Sequence, residues 1–316
     1  MYFPVADIEV SPLIPPLIAF AISFFTSMGG VSGAFLLLPF QVSFLGFTSP
    51  AVSSTNQLFN IVAIPSGVYR YLKEGRMLWP LTWVVIIGTL PGVLVGAIVR
   101  IKYLPDPKNF KLFAGLVLLY VGGRLLQDLV FKKRNVTPTV EERFQQRHTQ
   151  QSQTIAGENA TPEHLPRITV HQWTPTRIVY EFYGETFTIN AVGLMALSLV
   201  VGMVGGVYGI GGGAIIAPFL VSFFGLPIYT VAGASLMGTF VTSVAGVAFY
   251  QLLAPHYPGM VIAPDWLLGF LFGVGGFAGM YCGARLQKFV PAKFIKWILA
   301  ACLVFTAGKY IVAFFF

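Results

Sequence analysis

The residues best placed to do chemistry in this chain are glycines. They crowd into the run Gly205-Gly206-Val207-Tyr208-Gly209-Ile210-Gly211-Gly212-Gly213, followed by Ala214-Ile215-Ile216-Ala217-Pro218-Phe219. Glycine costs a helix roughly 1 kcal/mol against alanine at each position, so this apolar run is expected to break rather than continue as helix. Backbone broken at membrane depth survives only where protein or water surrounds it, because lipid cannot satisfy its polar groups. Where a helix restarts, near Gly33 or Gly212, its first N–H groups are free and carry the positive end of the dipole. That is chemistry suited to an anion.

Reactive alternatives are poorly represented. His148, His164 and His171 belong to a polar stretch and His256 to a loop, so no apolar segment presents a metal cluster or a catalytic dyad. Gly209 to Gly213 lack the Lys-Ser/Thr that a phosphate-binding loop needs. Glu74, Asp128 and Asp265 lie near the ends of apolar segments, which leaves a carboxylate proton relay without a candidate. If transport is coupled to protons, a weakly acidic substrate could carry the proton itself. Cys282 and Cys302 fall in apolar segments, where a thiol acts as a small hydrophobe. The expectation is no catalytic residue, no metal, no cofactor and no enzyme activity.

The elements that position the glycines are apolar helices. Of 316 residues, 55% are hydrophobic and 10% charged, with mean hydropathy +0.74, far from the roughly 25% charged of soluble domains. The composition predicts an all-α polytopic membrane protein. Apolar runs cover about residues 12–28, 33–47, 51–72, 77–99 and 110–131, then 190–208, 210–226, 228–253, 264–284 and 294–316. Those near 20 residues can span a bilayer. Met1 to Ser11 hold no Lys or Arg, so the first run is expected to stay as a helix rather than leave as a signal peptide.

The two sets repeat one another. Gly29-Gly30-Val31-Ser32-Gly33-Ala34-Phe35-Leu36-Leu37-Leu38-Pro39-Phe40 aligns without a gap to the second glycine run. Pro39 to Gly46 then match Pro218 to Gly225 at six of eight positions. Gly67 and Tyr71 match Gly246 and Tyr250, and Gly122-Gly123-Arg124 matches Ala307-Gly308-Lys309. Arg124 and Lys309 could touch a substrate; the plainer expectation is a cation snorkelling to the interface.

Charge bears on how the halves sit. If each break is a re-entrant hairpin, each half has an odd number of crossings and the second inserts inverted. Arg70, Lys73, Arg76, Lys132, Lys133, Arg134, Arg285, Lys288, Lys293 and Lys296 then all fall inside, and the 255–264 loop, without Lys or Arg, falls outside. Arg100, Lys102, Lys108 and Lys111 are the exceptions. If the breaks are kinks, the halves are parallel and a second basic cluster falls outside. The inverted arrangement is favoured. The net charge of +8 is thus topology information, not affinity for nucleic acid.

Three units are predicted: a transmembrane repeat at 12–131, a polar cytosolic insert at 132–188 and a second repeat at 189–316. The insert opens with Gln145, Gln146, Gln150, Gln151, Ser152 and Gln153, which lack apolar periodicity and read as a linker. Ile168 to Trp173, Arg177 to Phe182 and Phe187 to Ile189 alternate as strands do, with Tyr183-Gly184-Glu185 as a turn, giving a small β-hairpin. A cytosolic Asn159-Ala160-Thr161 is a chance glycosylation match.

Candidate substrate-binding residues are Gly30, Ser32, Gly33, Ala34, Ser54, Thr55 and Asn56 in the first half, and Gly211, Gly212, Gly213, Ser235 and Thr239 in the second. Ser53, Asn60, Thr242 and Ser243 are also small and polar. The competing reading is that these side chains cap helices or pack closely, as small residues do in membranes. Backbone dipoles with no buried arginine imply moderate, reversible affinity, which suits a carrier.

Paired Gly-Gly-x-x-Gly motifs, Gly29 to Gly33 and Gly205 to Gly209, each with Pro-Phe soon after, flank a central polar loop. In this the chain resembles the TauE/SafE family of sulfite exporters and related sulfonate permeases over 12–131 and 190–316. Gly209-Ile210-Gly211-Gly212-Gly213 with Pro218 is the more specific motif; the first half has Ser32 and Ala34 where its partner has Gly211 and Gly213. The resemblance implies a small sulfur-containing anion carried across the plasma membrane. It leaves the anion, the direction and the oligomeric state open, a homodimer being one option. A cation channel would want carbonyl or acidic rings that are not evident. A carrier passing thiosulfate along cysteines is disfavoured, since Cys282 and Cys302 have no counterparts in the first half. A scaffold or receptor signalling through the insert, or a carrier for another organic anion, remains the alternative.

Overall fold

A computed structural model describes residues 1–28, 32–73, 75, 77–130, 168–182, 184–286 and 292–315. Gly29, Gly30, Val31, Glu74, Arg76, Lys132, Lys133, Arg134, His148, His164, Tyr183, Lys288 and the stretch with Asn159 lie outside the described residues. A short hairpin, β1 (Tyr2–Phe3) with β2 (Ile8–Glu9), precedes the helices and buries Phe3 and Ile8. The first half then runs α1 (Ile14–Met28), α2 (Ala34–Ser43), α3 (Ala51–Ala63), α4 (Pro65–Lys73), α5 (Trp79–Lys102) and α6 (Pro107–Val130). Three antiparallel strands follow, β3 (Thr169–Trp173), β4 (Arg177–Phe182) and β5 (Glu185–Asn190), in the order β3-β4-β5. The second half is α7 (Ala191–Tyr208), α8 (Gly212–Ser222), α9 (Ile228–Leu253), α10 (Trp266–Leu286) and α11 (Ala292–Phe315), with a turn of 3-10 helix at Ala254–His256.

Among the described residues, six helices are long and apolar enough to cross a membrane: α5, α6, α7, α9, α10 and α11. Large apolar side chains such as Trp83, Ile87, Val200, Phe270, Val274 and Phe277 remain exposed on them, as suits surfaces that meet lipid. The apolar run at 51–72 is not one helix. Pro65 has no N–H to donate, so the run divides into α3 and α4 around Ile64. The insert holds a three-stranded meander rather than a two-stranded hairpin, because Thr169 to Trp173 also pair with β4, across a bulge between Val170 and Gln172.

α3 is the centre of the bundle. Every residue from Ala51 to Asn60 is buried, and the helix packs on both α9 and α10. Around it the halves interleave. α5 lies against α7, α1 against α10, and α6 against α11. The first two contacts are backbone to backbone, since a Cβ at Gly206 would run into the main chain of Val93, and one at Gly279 into that of Phe20. The sheet is tied to the bundle by Tyr180 on β4. Its buried hydroxyl lies 3.0 Å from Thr230 Oγ1 in the first turn of α9, and burial pushes its pKa up to about 12.

Replacing Gly206 by valine is therefore expected to destabilise the protein by about 3 kcal/mol or more through overpacking. Gly123→Ala, where nothing lies within 4 Å of the added Cβ, should be neutral or stabilising. Melting curves of the two purified variants in detergent check the contrast.

Candidate functional site

The second glycine run ends one helix and starts another. α7 closes at Gly209, whose φ of 81° is left-handed, with the N–H groups of Gly209 and Ile210 both donating to Gly205 O at 2.9 and 3.0 Å. Gly211 follows with φ 76° and ψ 154°, a conformation open only to glycine. The Gly212 N–H donates to Thr242 Oγ1 at 3.1 Å, and Gly212 lies against Gly202 of α7.

Such an ending leaves carbonyls without helical partners. α3 supplies donors for three of them. Ser53 Oγ donates to Val207 O at 3.1 Å, Asn56 Nδ2 to Gly209 O at 3.1 Å and Asn60 Nδ2 to Ile210 O at 3.0 Å. The same two asparagines hold the first break. Asn56 Nδ2 also donates to Ala34 O at 3.1 Å, and Ser32 Oγ donates to Asn60 Oδ1 at 2.8 Å while accepting the Ala34 N–H at 3.3 Å. Gln41 Nε2 donates to Asn56 Oδ1 at 3.2 Å. Tyr208, the last residue of α7, donates its hydroxyl to Phe35 O in the first turn of α2, at 3.0 Å. Both breaks thus meet on one face of α3.

Most of the residues expected at the site gather here: Ser32, Gly33, Ala34, Asn56, Gly211, Gly212, Gly213, Ser235 and Thr239. Thr239 lies against Gly211 and Gly213, donates its own hydroxyl to Ser235 O at 2.8 Å, and leaves the buried Ser235 Oγ without a partner. Gly30 lies outside the described residues. Ser54 and Thr55 point elsewhere. Ser54 Oγ donates to Ile262 O at 2.8 Å and Thr55 Oγ1 accepts the Asp265 N–H at 2.9 Å, so both tether the loop between α9 and α10. Arg124 donates to Gln127 on its own helix and lies over Phe223, and Lys309 is exposed; among the described residues neither bonds to a break residue. Among the described residues no group of His, Cys, Asp and Glu could hold a metal ion, and Cys282 and Cys302 are free thiols.

One expectation is overturned. A buried arginine is present: Arg100 is fully buried in the last turns of α5. Hydropathy ends the apolar run at residue 99 and leaves this cation in a loop, whereas α5 continues to Lys102 and α6 covers the guanidinium with the Phe110 ring, 3.9 Å from Cζ. Its one signal in the sequence is that it stands among the cations on the side the charge rule disfavours.

The model for the sulfite exporter TauE/SafE family matches residues 16–310. The chain belongs to the TauE/SafE family. That match and the six long apolar helices make it a multi-pass membrane protein of a transporter family. The comparison with curated proteins found no match, and neither did that with solved structures.

Asn60→Leu, which keeps the branched shape but strands the Ile210 carbonyl and the Ser32 hydroxyl, is expected to destabilise by about 2 to 4 kcal/mol. A thermal melt in detergent should register this as a clear drop. Ser54→Ala, at the loop tether, should lower stability less.

Proposed function

We propose that this TauE/SafE protein is a secondary transporter that carries a small sulfur-containing anion, sulfite or an organosulfonate, across the plasma membrane. The anion binds where the two glycine-rich breaks converge on Asn56 and Asn60. That convergence is the observation that carries the reading, because two short helices, α2 and α8, begin beside it and helix N-termini favour negative charge. Dipoles rather than a full charge at this point fit a ligand that must be released. Ser235 Oγ, buried beside the second break and unpartnered, is a hydroxyl free to contact it.

The halves are inverted in the membrane and each break is a re-entrant hairpin. Support comes from the sheet. β5 leads directly into α7, and Tyr180 on the adjoining strand bonds Thr230 at the start of α9. The chain therefore leaves and regains one end of the bundle across α7 and α8. The interleaved pairs, α5 on α7 and α1 on α10, also exchange equivalent helices between the halves, as a two-fold relation requires. The insert faces the cytosol.

Binding is tested on purified protein in detergent by thermal shift against sulfite, sulfate, thiosulfate, taurine, sulfoacetate and an aromatic sulfonate, with chloride as control. A ligand at about 100 times its Kd stabilises by roughly 2.7 kcal/mol. Ser235→Ala should melt like the wild type without ligand and bind the selected anion about tenfold more weakly. A folded wild type that no anion stabilises would move weight to a scaffold or to a carrier of non-sulfur anions.

Topology has its own test. In a chain with Cys282 and Cys302 replaced by alanine, Thr174→Cys in the insert and Tyr257→Cys after α9 are expected to react with an impermeant maleimide from opposite sides of the membrane, the first only after permeabilisation. Labelling of both from one side would mean that each break is a kink in a single spanning helix.

A further inference from the structure

Arg100 has more charge than its surroundings use. Nη1 donates to Leu104 O, closing the turn into α6, and Nε donates to Ser53 Oγ at 3.4 Å, while Nη2 has no partner. Among the described residues no carboxylate lies within 4.0 Å of it. A guanidinium stays protonated, and a buried cation without an anion is expensive. A residue needed only to tie the α5–α6 turn could do so with one N–H at the surface.

Its neighbours are unsatisfied in a complementary way. Tyr250 on α9 is fully buried and packs with Ala97 and Ile101, on either side of Arg100. Its hydroxyl sits beside Ser53 Oγ without the geometry of a hydrogen bond. Gln57, one turn along α3 from Ser53, is also fully buried and leaves both amide atoms unpartnered, pressed against Gly246, one turn before Tyr250. Three donors are therefore free along one strip: Arg100 Nη2, the Tyr250 hydroxyl and Gln57 Nε2. The strip is continuous with the second break, because Ser53 both accepts from Arg100 and donates to Val207 O, and its main chain lies against Gly209.

We propose that Arg100, Tyr250 and Gln57 form a second anion-binding station, at the end of the bundle where α5 meets α6, which holds the transported oxyanion on its way to or from the glycine breaks. The proposal rests on the anion-carrier reading. It gives Arg100 a reason to stand where the charge rule disfavours it: the cation serves the substrate rather than topology. Because the station is closed in this structure, loading it requires movement of the α5–α6 turn or of the loop after α9.

The test measures Kd by calorimetry and uptake into proteoliposomes, with sulfite and taurine as probes, for Arg100→Gln, Arg100→Lys, Tyr250→Phe and Gln57→Leu. Gln57→Leu removes atoms that bond nothing in the protein and Tyr250→Phe removes a hydroxyl whose one polar neighbour is Ser53, so their ligand-free melting temperatures should lie close to the wild type. Each should weaken the bound anion about tenfold, and Arg100→Gln about a hundredfold, with partial rescue in Arg100→Lys. If wild-type affinity persists in Tyr250→Phe and Gln57→Leu, and Arg100→Gln changes only the melting temperature, Arg100 is a structural tie and the station is overturned. A folded wild type that binds neither probe, nor any other anion of the thermal-shift screen, overturns the sulfur-anion reading and the station together.

Discussion

A helix that stops inside an apolar bundle must find partners for the backbone groups it exposes, and here α3 provides them. Asn56 and Asn60 are one turn apart, so both amides face the same way. Each donates twice and accepts once. An asparagine is suited to this because its amide offers two donors and an acceptor without a charge to bury. The two breaks are fixed to each other as well as to α3, and the remaining helices arrange themselves around that junction. On the other side α9 does related work with smaller groups: Thr242 receives the Gly212 N–H, and Thr239 fills the space beside Gly211. The site is polar without being ionic.

A buried cation stands apart from this junction, at Arg100, linked to it through Ser53. Partial charges at helix starts and a guanidinium differ in strength and in reach, since the first fall off within a turn while the second persists wherever water is excluded. In the proposed carrier the two, placed in series, would give a gradient of attraction rather than one deep well. A carrier benefits from such an arrangement because tight binding at a single point would slow release.

Local signals made much of this legible beforehand. Glycine runs and apolar lengths are properties of short windows, so the break after α7 and the long helices could be read from residues alone. The polar run Ser53 to Asn56 was visible too, but its members diverge in the fold, because residues adjacent on a helix point in different directions. The spacing that mattered was Asn56 to Asn60, at one helical turn, whereas Ser54 and Thr55 serve the loop after α9. Hydropathy misplaces Arg100 because it cannot distinguish a cation at the end of a helix from one in the next loop; the packing of Phe110 and the neighbourhood of Tyr250 reveal its burial. The division at Pro65 needed only the missing N–H, yet the apolar run concealed it.

Interleaving of the halves has a consequence for how the chain is made. The partner of α1 is α10, separated from it by most of the sequence, and the glycine face of α5 is covered only when α7 arrives beyond the insert. During synthesis the first half must therefore wait in the bilayer with two close-contact surfaces open. Contacts of such sequence separation are slow to form. The surface on α5 is covered once α7 is made and that on α1 only once α10 is made, so neither half completes its packing without the other.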